Sequence, residues 1–283
     1  MYGVAFQLFG MSVHWYGICV AVGFLTSLLL LQYKRKYAGM TSDQIFDMSL
    51  IVIIGGIAGA RLFYVIQFHE QFRGNFLKIF RIDQGGLVFY GGFIVAALVI
   101  LYYIRRKKLV LSRILDICAP AMAIGHAFGR IGCLIQGCCY GMPCKSFGII
   151  YPAGSAPAAR YPDMTTIVTN MKATGQAAAS SLPLLPVQFF EAVGNLFLGI
   201  IALLLFKKIR KSGHIAAFYF FGYGLLRFVL EFFRGDHADT ILFHLTRAQL
   251  IGLCIMLPAG AFFYFYFRKY GEDVNCDEKQ SLS

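Results

Sequence analysis

Residues 114–135 read ILDICAPAMAIGHAFGRIGCLI, an almost unbroken apolar run that is long enough to cross a lipid bilayer. The second half of this run nevertheless contains His126 and Arg130. An ionisable side chain inside a bilayer costs a few kcal/mol or more, so it normally faces protein or water and marks a functional site. The stretch therefore predicts a transmembrane helix that carries part of a site.

The composition extends this prediction to the whole chain. Of its 283 residues, 58% are hydrophobic and 14% are charged, and the mean hydropathy is +0.64. A soluble core of this size could not enclose so much apolar surface. We expect an all-α polytopic membrane protein with about seven transmembrane helices, near residues 15–33, 46–66, 85–104, 114–135, 187–206, 215–233 and 246–267. The first segment lacks the flanks of a cleaved signal peptide, so we expect it to be retained.

The distribution of basic residues predicts the orientation. Although the net charge is +12, the positive runs follow the first, third, fifth and seventh segments; they are Lys34–Lys36, Arg105–Lys108, Lys207–Lys211 and Arg268–Lys269. By the positive-inside rule, the amino terminus lies outside and the carboxyl terminus lies in the cytoplasm. Because topology accounts for the charge, we expect the lipid bilayer and no nucleic acid as a partner.

The predicted organisation is a single transmembrane helical domain over residues 1–270, followed by a flexible cytoplasmic tail at 271–283. One loop, at about residues 136–186, is much longer than the others and is rich in Pro, Gly, Ala and Ser. Long loops are usually either functional or disordered. We expect a partly ordered cap over a site that faces outward.

The cysteines do not predict a metal site. Cys138, Cys139 and Cys144 form the pattern C-C-x4-C, which is not a zinc-binding spacing and has no histidine nearby. An oxidising compartment would allow a disulfide between two of them, and the pairing stays open.

Charged residues in three spans point to one layer of the membrane. Arg61, Arg130, Arg227 and Glu231 lie about 18–24 Å along helices that cross a core of about 30 Å, in its outer half. Asp116 lies near the cytoplasmic side instead. Pairing of Arg227 with Glu231 leaves positive charge on the other arginines. Because guanidinium groups bind phosphate oxygens bidentately, the expected ligand is a phospholipid headgroup. The alternative is that the other arginines reach the membrane surface and bind nothing.

Helical periodicity separates packing sides from polar sides. On the span at 114–135, His126, Arg130 and Cys133 share one narrow arc. The glycines expected to pack against neighbouring helices lie on another side; they are Gly125, Gly129 and Gly132. The span at 215–233 carries a second polar stripe, formed by Tyr223, Arg227, Glu231 and Arg234.

Two tyrosines lie near the predicted outer ends of their spans, Tyr16 in the first and Tyr90 in the third. Tyrosine is enriched at membrane interfaces as an anchor. Tyr90 lies between two pairs of glycines that bring neighbouring helices close. Tyr16 is a candidate for contact with a lipid headgroup and Tyr90 is a candidate catalytic residue, with anchoring as the alternative for both.

These residues belong to motifs by which the chain resembles the prolipoprotein diacylglyceryl transferase family over nearly its whole length. The motifs are His14–Gly17, Gly59–Leu62, the glycine-rich segment around Tyr90, Gly129–Gly132 with Gly137 and Gly141, Pro186–Gln188 with Glu191, and Gly222–Gly224 through Arg227, Glu231 and Arg234. The fourth-span and sixth-span motifs occur together, which makes the resemblance specific.

The resemblance implies a multi-pass enzyme of the bacterial inner membrane, with its site toward the outer leaflet. Members of the family transfer the diacylglyceryl group of phosphatidylglycerol to the lipobox cysteine thiol of a prolipoprotein. The reaction forms a thioether and releases glycerol phosphate. The resemblance implies no metal and no organic cofactor.

The resemblance also assigns roles to residues of this chain. Arg130 and Arg227 would hold the lipid phosphate and stabilise the charge on the leaving group, and Glu231 would orient Arg227. The implied substrate-binding residues are Tyr16, Arg61, Tyr223, Arg234 and Gly141. Among these, the two tyrosines would offer hydroxyl groups to the headgroup, and Arg61 would contribute to the electrostatic field.

Two departures from the family pattern bear on catalysis. Tyr90 replaces the family histidine in the third span, and Cys133 replaces an asparagine. A phenol ionises only near pH ~10, so it is a poor general base at neutral pH. His126 is a candidate replacement, because the nearby Arg130 would keep it neutral; the alternative is a packing role. Loss of the family histidine is the main argument for another function, a non-catalytic membrane protein that binds or moves anionic phospholipid.

Overall fold

The structure is a computed structural model, and it describes residues 3–8, 11–72, 79, 86, 88–166, 179–236, 240–242, 245–246, 249–250 and 252–273. The described chain divides into two compact units, one formed by Met1–Leu30 with Leu115–Ser283 and the other by Leu31–Ile114. A single domain over 1–270 stays a prediction. Most of the predicted tail, residues 274–283, lies outside the described residues.

The protein is mostly helical, as the apolar composition predicts. The helices are α1 Trp15–Lys34, α2 Ser42–Gln67, α3 Phe89–Arg106, α4 Leu111–Gln136, α5 Ala156–Arg160, α6 Val187–Leu205, α7 His214–Glu231 and α8 Leu257–Tyr270. Four of them, α1, α2, α4 and α6, are long and apolar enough to cross a membrane. The chain is therefore a multi-pass, all-α membrane protein.

The last predicted span, near residues 246–267, is mostly helical in the part that the structure describes, but it is not a uniform α-helix. Residues 249–250 are helical, and α8 begins at Leu257 and continues to Tyr270. A short 5-residue π-helix, Gly252–Met256, precedes it. Pro258 lies in the first turn of α8, where its missing backbone N–H breaks no helical hydrogen bond. The apolar composition runs across this junction, so hydropathy alone did not reveal it.

Short strands and turns accompany the helices. Strands β1 Val4–Leu8 and β2 Met11–His14 pair antiparallel, directly before α1, and β3 Thr240–Leu242 pairs with β4 Leu245–Thr246. A 3-10 helix, His69–Phe72, follows α2. The all-α prediction did not include the strands, because their residues are few and lie in loops.

The described part of the long loop folds around three buried side chains. Tyr140, Tyr151 and Leu184 pack together, and Tyr161 lies against them. Leu184 forms backbone bridges with both Pro143 and Ile149. These contacts hold residues on both sides of the loop in place beside α6.

In the unit Leu31–Ile114, glycines bring α2 and α3 into backbone contact. A Cβ atom built at Gly59 would lie 2.6 Å from the carbonyl oxygen of Gly91. The backbone N–H of Val88 also donates a hydrogen bond to the carbonyl of Ala60, at 3.0 Å. Gly59 therefore allows close packing of the two helices, as small residues do in membrane proteins.

In the other unit, α4 packs against α1 through two of its three glycines. Added Cβ atoms would lie 2.6 Å from Ser27 Oγ at Gly125 and 3.1 Å from Tyr16 Cδ2 at Gly132. The prediction is wrong for Gly129, where no described atom lies within 4 Å of such a Cβ. The angular position of Gly129 around α4 is close to those of Gly125 and Gly132. It gives the direction in which a residue points, but it does not show where the neighbouring helix lies.

Asp116 caps α7 from the neighbouring α4. Its carboxylate accepts hydrogen bonds from the backbone N–H groups of Gly213, at 2.6 Å, and Ala216, at 3.0 Å. The first N–H groups of a helix have no partner within it, and a carboxylate there also stabilises the helix dipole. Asp116 is fully buried, so it is a structural residue at the opposite end of α7 from Glu231.

Candidate active site

Glu191 of α6 is the centre of a charge cluster. It is the sole charged residue in the sequence VQFFEAVGNLFLGIIALLL of α6. Gln188 and Asn195, three residues before and four residues after it, lie on the same helical face, and all three side chains are buried. A carboxylate in such a setting needs a positive partner, since burying an unpaired charge is very costly.

Two arginines from different helices meet at this carboxylate. Arg130 of α4 places Nη2 3.0 Å from Glu191 Oε1, and Arg227 of α7 places Nη1 4.0 Å from Glu191 Oε2. Both arginine side chains are mostly buried. The structure thus brings together the two arginines that the sequence had singled out in separate spans.

Glu231 holds Arg227 from the other side. The predicted ion pair between them is present, with Arg227 Nη2 2.8 Å from Glu231 Oε2. The other carboxylate oxygen accepts a 2.7 Å hydrogen bond from Thr246 Oγ1 of β4. The Arg227 guanidinium therefore lies between two carboxylates, those of Glu191 and Glu231.

Arg234 extends the cluster beyond the end of α7. Its Nε lies 3.6 Å from Glu231 Oε2. Its guanidinium also forms a two-point contact with Asp236, at 2.9 Å and 2.6 Å. Such paired contacts hold both position and orientation. The negative charge of Asp236 and the hydrogen bonds to it raise the pKa of Arg234 against the opposing effect of burial.

Among the described residues, the charges of the cluster balance. Three arginines are paired there with the carboxylates of Glu191, Glu231 and Asp236. The expectation that Arg130 keeps an uncompensated positive charge is therefore wrong. The expectation counted Glu231 as the sole acidic partner in the outer layer and left out Glu191. A single carboxylate within an apolar segment could have indicated Glu191 as a further partner.

His126 lies one turn before Arg130 and contacts it directly. Arg130 Nε donates a hydrogen bond to His126 Nε2, at 3.2 Å. The imidazole also lies against the ring of Tyr223, with 5.1 Å between ring centroids. Tyr223 in turn stacks on Tyr219 at 5.9 Å. The two predicted polar stripes, on α4 and α7, therefore face each other.

Arg227 offers a hydrogen-bond donor that the described residues do not use. Its Nη1 is buried and has no hydrogen-bond partner among them, since Glu191 Oε2 at 4.0 Å is too distant. Buried donors are nearly always satisfied in folded proteins. An unused guanidinium N–H between two helices is a place where an oxygen of a ligand could bind.

Other predicted residues of the same unit lie around the cluster. Tyr16 begins α1 and is partly exposed, close to Gly132 of α4. Gly141 forms a backbone bridge with Arg234, and a Cβ there would lie 2.6 Å from the carbonyl oxygen of Leu185. Gly141 therefore lets two backbone segments meet behind Arg234, and substrate binding by this residue stays a prediction.

Arg61 and Tyr90 belong to the other compact unit. Arg61 donates hydrogen bonds to the carbonyl oxygens of Ile79, at 2.8 Å, and Gly86, at 3.0 Å. Its guanidinium also lies over the rings of Tyr64 and Phe72. Tyr90 lies in the first turn of α3 and is 65% exposed. The predicted roles of Arg61 in substrate binding and of Tyr90 in catalysis stay predictions.

Three cysteine side chains converge at the end of α4. The Sγ atoms of Cys133, Cys138 and Cys139 all lie within 4.8 Å of one another. Cys144 is not part of this group. The sequence pattern C-C-x4-C did not predict this group, because it contains Cys144 and not Cys133, which was assigned to the polar side of a span.

Asp236 and Thr246 were not predicted from the sequence. Both lie in the irregular segment after α7, where no helical periodicity relates a residue to the site. They contact the cluster because the chain turns back toward α7 at Arg234 and again at β4. Only the fold places them there.

Comparison with known proteins identifies similar chains. The sequence model of the family described as prolipoprotein diacylglyceryl transferase matches residues 3–266. A phosphatidylglycerol–prolipoprotein diacylglyceryl transferase from Clostridium tetani is 33% identical, covering 94% of this chain and 98% of that protein. A protein named phosphatidylglycerol–prolipoprotein diacylglyceryl transferase 2 from Clostridium perfringens is 29% identical over 89% of this chain and 90% of its own length. One from Acinetobacter baumannii is 30% identical, with 94% and 93% covered.

Proposed function

Because the chain belongs to the prolipoprotein diacylglyceryl transferase family, we propose that the cluster of Arg130, Glu191 and Arg227 is its active site. The chain is a transferase that moves the diacylglyceryl group of phosphatidylglycerol to a prolipoprotein. The observation that carries the site assignment is the meeting of two arginines from separate helices on one buried carboxylate, with Arg227 Nη1 unused.

Arg130 and Arg227 bind the phosphate of phosphatidylglycerol. Without lipid, Glu191 provides the negative charge between them. A phosphate can take over these contacts, because its oxygens accept two hydrogen bonds from one guanidinium in the way a carboxylate does. Arg227 Nη1 can donate a hydrogen bond to the phosphate without giving up a hydrogen bond to a described residue.

The reaction places new negative charge on the phosphate. The acceptor thiol gives up its proton to solvent, and its sulfur forms a bond to the diacylglyceryl carbon that bears the phosphate. The C–O bond of that carbon breaks, with its electron pair going to the departing glycerol phosphate. The acceptor is the lipobox cysteine, and the product is a thioether. Arg227 is already held by Glu231, which in turn accepts a hydrogen bond from Thr246. A guanidinium group that is fixed in advance stabilises this charge without rearranging, which is where electrostatic catalysis is strongest.

His126 positions Arg130. The lone pair of its Nε2 already accepts the hydrogen bond from Arg130 Nε, so the nitrogen is not free to take the acceptor proton. A base role for His126 or Tyr90 stays a prediction. The hydroxyl of Tyr223, beside His126, and that of Tyr16 are proposed to contact the headgroup, while Arg234 supports Glu231.

The finer membrane arrangement is also a proposal. Seven helices cross the bacterial inner membrane, with the amino terminus outside, the carboxyl terminus in the cytoplasm and the site toward the outer leaflet. The basic runs after alternate predicted spans support this orientation. The outer leaflet is also where Arg130 and Arg227 would meet a lipid phosphate.

Transfer can be measured directly with purified protein. Protein in detergent, phosphatidylglycerol and a lipobox peptide should yield a peptide heavier by one diacylglyceryl group, attached through a thioether. Arg130→Ala should abolish the product, while Arg268→Ala, which removes an exposed arginine from the last turn of α8, should keep the wild-type rate. A protein that retains phosphatidylglycerol but forms no product would contradict the assignment and support a non-catalytic lipid-binding role.

A further inference from the structure

A second group of reactive side chains lies at the end of α4, formed by Cys133, Cys138 and Cys139. Their Sγ atoms are within 4.8 Å of one another, and all three side chains are half-buried. The family activity uses the thiol of the acceptor protein, so it needs no thiol of the enzyme. This cluster is therefore unexplained by transfer alone.

A tight turn of the backbone brings the three sulfur atoms together. The N–H groups of Gly137 and Cys138 both donate to the carbonyl of Cys133, at 3.0 Å and 3.2 Å, which ends α4 in a tight turn. Gly137 has φ +75°, and Cys139 has φ +60°. A left-handed conformation costs a residue with a side chain about 1–2 kcal/mol. Such strain persists only where the surrounding structure fixes it, and it is concentrated at functional sites.

Buried contacts hold this turn on both sides. Gln188 of α6 is fully buried, and its Nε2 donates a 2.7 Å hydrogen bond to the carbonyl of Cys138. On the far side, the N–H of Gly235 donates to the carbonyl of Tyr140, at 2.9 Å. The sulfur atoms are thus placed by rigid backbone on either side, which is the support that metal ligands require.

Two arginines, Arg234 and Arg130, interact electrostatically with the cluster at Cys139. A thiolate is the form that binds metals. A divalent cation bound by three thiolates forms a complex with a net negative charge. The two arginines would offset this charge.

We propose that Cys133, Cys138 and Cys139 form a binding site for one thiophilic d10 cation, with Zn²⁺ as the expected ion. Bonds of about 2.3 Å in a tetrahedral site place sulfur atoms about 3.8 Å apart, which small rotations of these side chains would reach. A disulfide would use two sulfurs and leave the third without a role. Magnesium and calcium prefer oxygen ligands and do not fit a site of three sulfurs.

Three protein ligands leave the fourth tetrahedral position for water or another exogenous ligand, as in zinc sites that are not purely structural. Each thiol that still carries its proton releases it to solvent as its sulfur binds the metal. The site is half-buried, so an ion and its fourth ligand can reach it.

Cobalt titration of the full-length protein tests this site without any measure of transfer. Protein purified in detergent, reduced and stripped with a chelator, should bind one Co²⁺ per chain with the sulfur-to-metal charge-transfer absorption of a thiolate site, and Zn²⁺ should displace it. Cys133→Ser, Cys138→Ser and Cys139→Ser should each weaken Zn²⁺ binding at least tenfold. Cys144→Ser is the matched control, because Cys144 lies in the same loop outside the cluster, and it should bind as the wild type does.

The wild-type titration alone can overturn the proposal, so it does not depend on the folding of any variant. Reduced wild-type protein that shows no charge-transfer absorption with Co²⁺ has no such site. Equal loss of metal in Cys144→Ser would place the ligands elsewhere. The third outcome concerns protein purified without chelator and without added oxidant. If this protein is lighter by two hydrogens and binds no metal, it contains a disulfide and not a metal site.

Discussion

Replacing Glu191 with glutamine tests whether this carboxylate balances the two arginines. The change keeps the shape of the side chain and removes its charge, while the side chain stays 1% exposed. Breaking a buried ion pair from one side costs about 3–5 kcal/mol, because the remaining charge is left without compensation. Arg227 keeps Glu231, so the loss falls mainly on Arg130 and should be near the lower limit, about 3 kcal/mol.

Thermal unfolding in a phosphate-free detergent measures this loss. At roughly 2–4 °C per kcal/mol for a chain of this size, Glu191→Gln should unfold about 6–12 °C below the wild type. Phosphatidylglycerol should restore at least half of the difference, because its phosphate supplies the missing negative charge between the arginines. Diacylglycerol, which has the acyl chains without the phosphate, should restore little.

Glu70→Gln is the matched control for this experiment. Glu70 pairs with His69 at 3.1 Å, but both side chains are more than 60% exposed, at 61% and 64%. Removing such a surface charge changes stability by less than about 0.5 kcal/mol. If Glu191→Gln unfolds at the temperature of the wild type and of this control, or if diacylglycerol restores it as well as phosphatidylglycerol does, Glu191 does not hold the place of a lipid phosphate.

Three further substitutions follow from the same contacts. Arg130→Lys should lower the transfer rate at least tenfold although it keeps the charge, because an ammonium group cannot make a two-point contact with phosphate; near-normal turnover would argue against the phosphate contact. His126→Gln, whose amide oxygen can still accept from Arg130 Nε, should retain more activity than His126→Ala, with the same pH profile in both; equal losses with an altered profile would make His126 a base. Thr246→Val removes the 2.7 Å hydrogen bond to Glu231 and should cost about 1.5–3 kcal/mol in thermal unfolding, whereas Thr246→Ser should unfold close to the wild type.

Most of the helices could be predicted from the sequence, because hydropathy and helix length are set by the bilayer. The start of α8 could not, since the apolar run continues through the π-helix before Leu257. Antiparallel pairing in β1 and β2 was also missed, because four or five residues carry too little periodicity to separate a strand from a loop.

The candidate site was predicted in part. Arg130 and Arg227 stood out because a charge in an apolar run has a known cost, and their common partner Glu191 satisfied the same criterion without being counted. Asp236 could not be predicted, because its contact with Arg234 depends on a turn after α7 that no periodic sequence pattern indicates. Cys133 joined the other two cysteines through a tight turn that brings residues five and six positions apart into contact, which residue spacing did not suggest.

The balance of charge among the three arginines and three carboxylates has a consequence for turnover. A neutral receptor attracts free anions weakly from a distance, so the affinity for substrate must come largely from the acyl chains of the lipid in the surrounding bilayer. Once those chains have left on the modified protein, glycerol phosphate loses that contribution. In the proposed site, Glu191 would then compete for the two guanidinium groups from within the protein, and this carboxylate would hasten the departure of the spent headgroup.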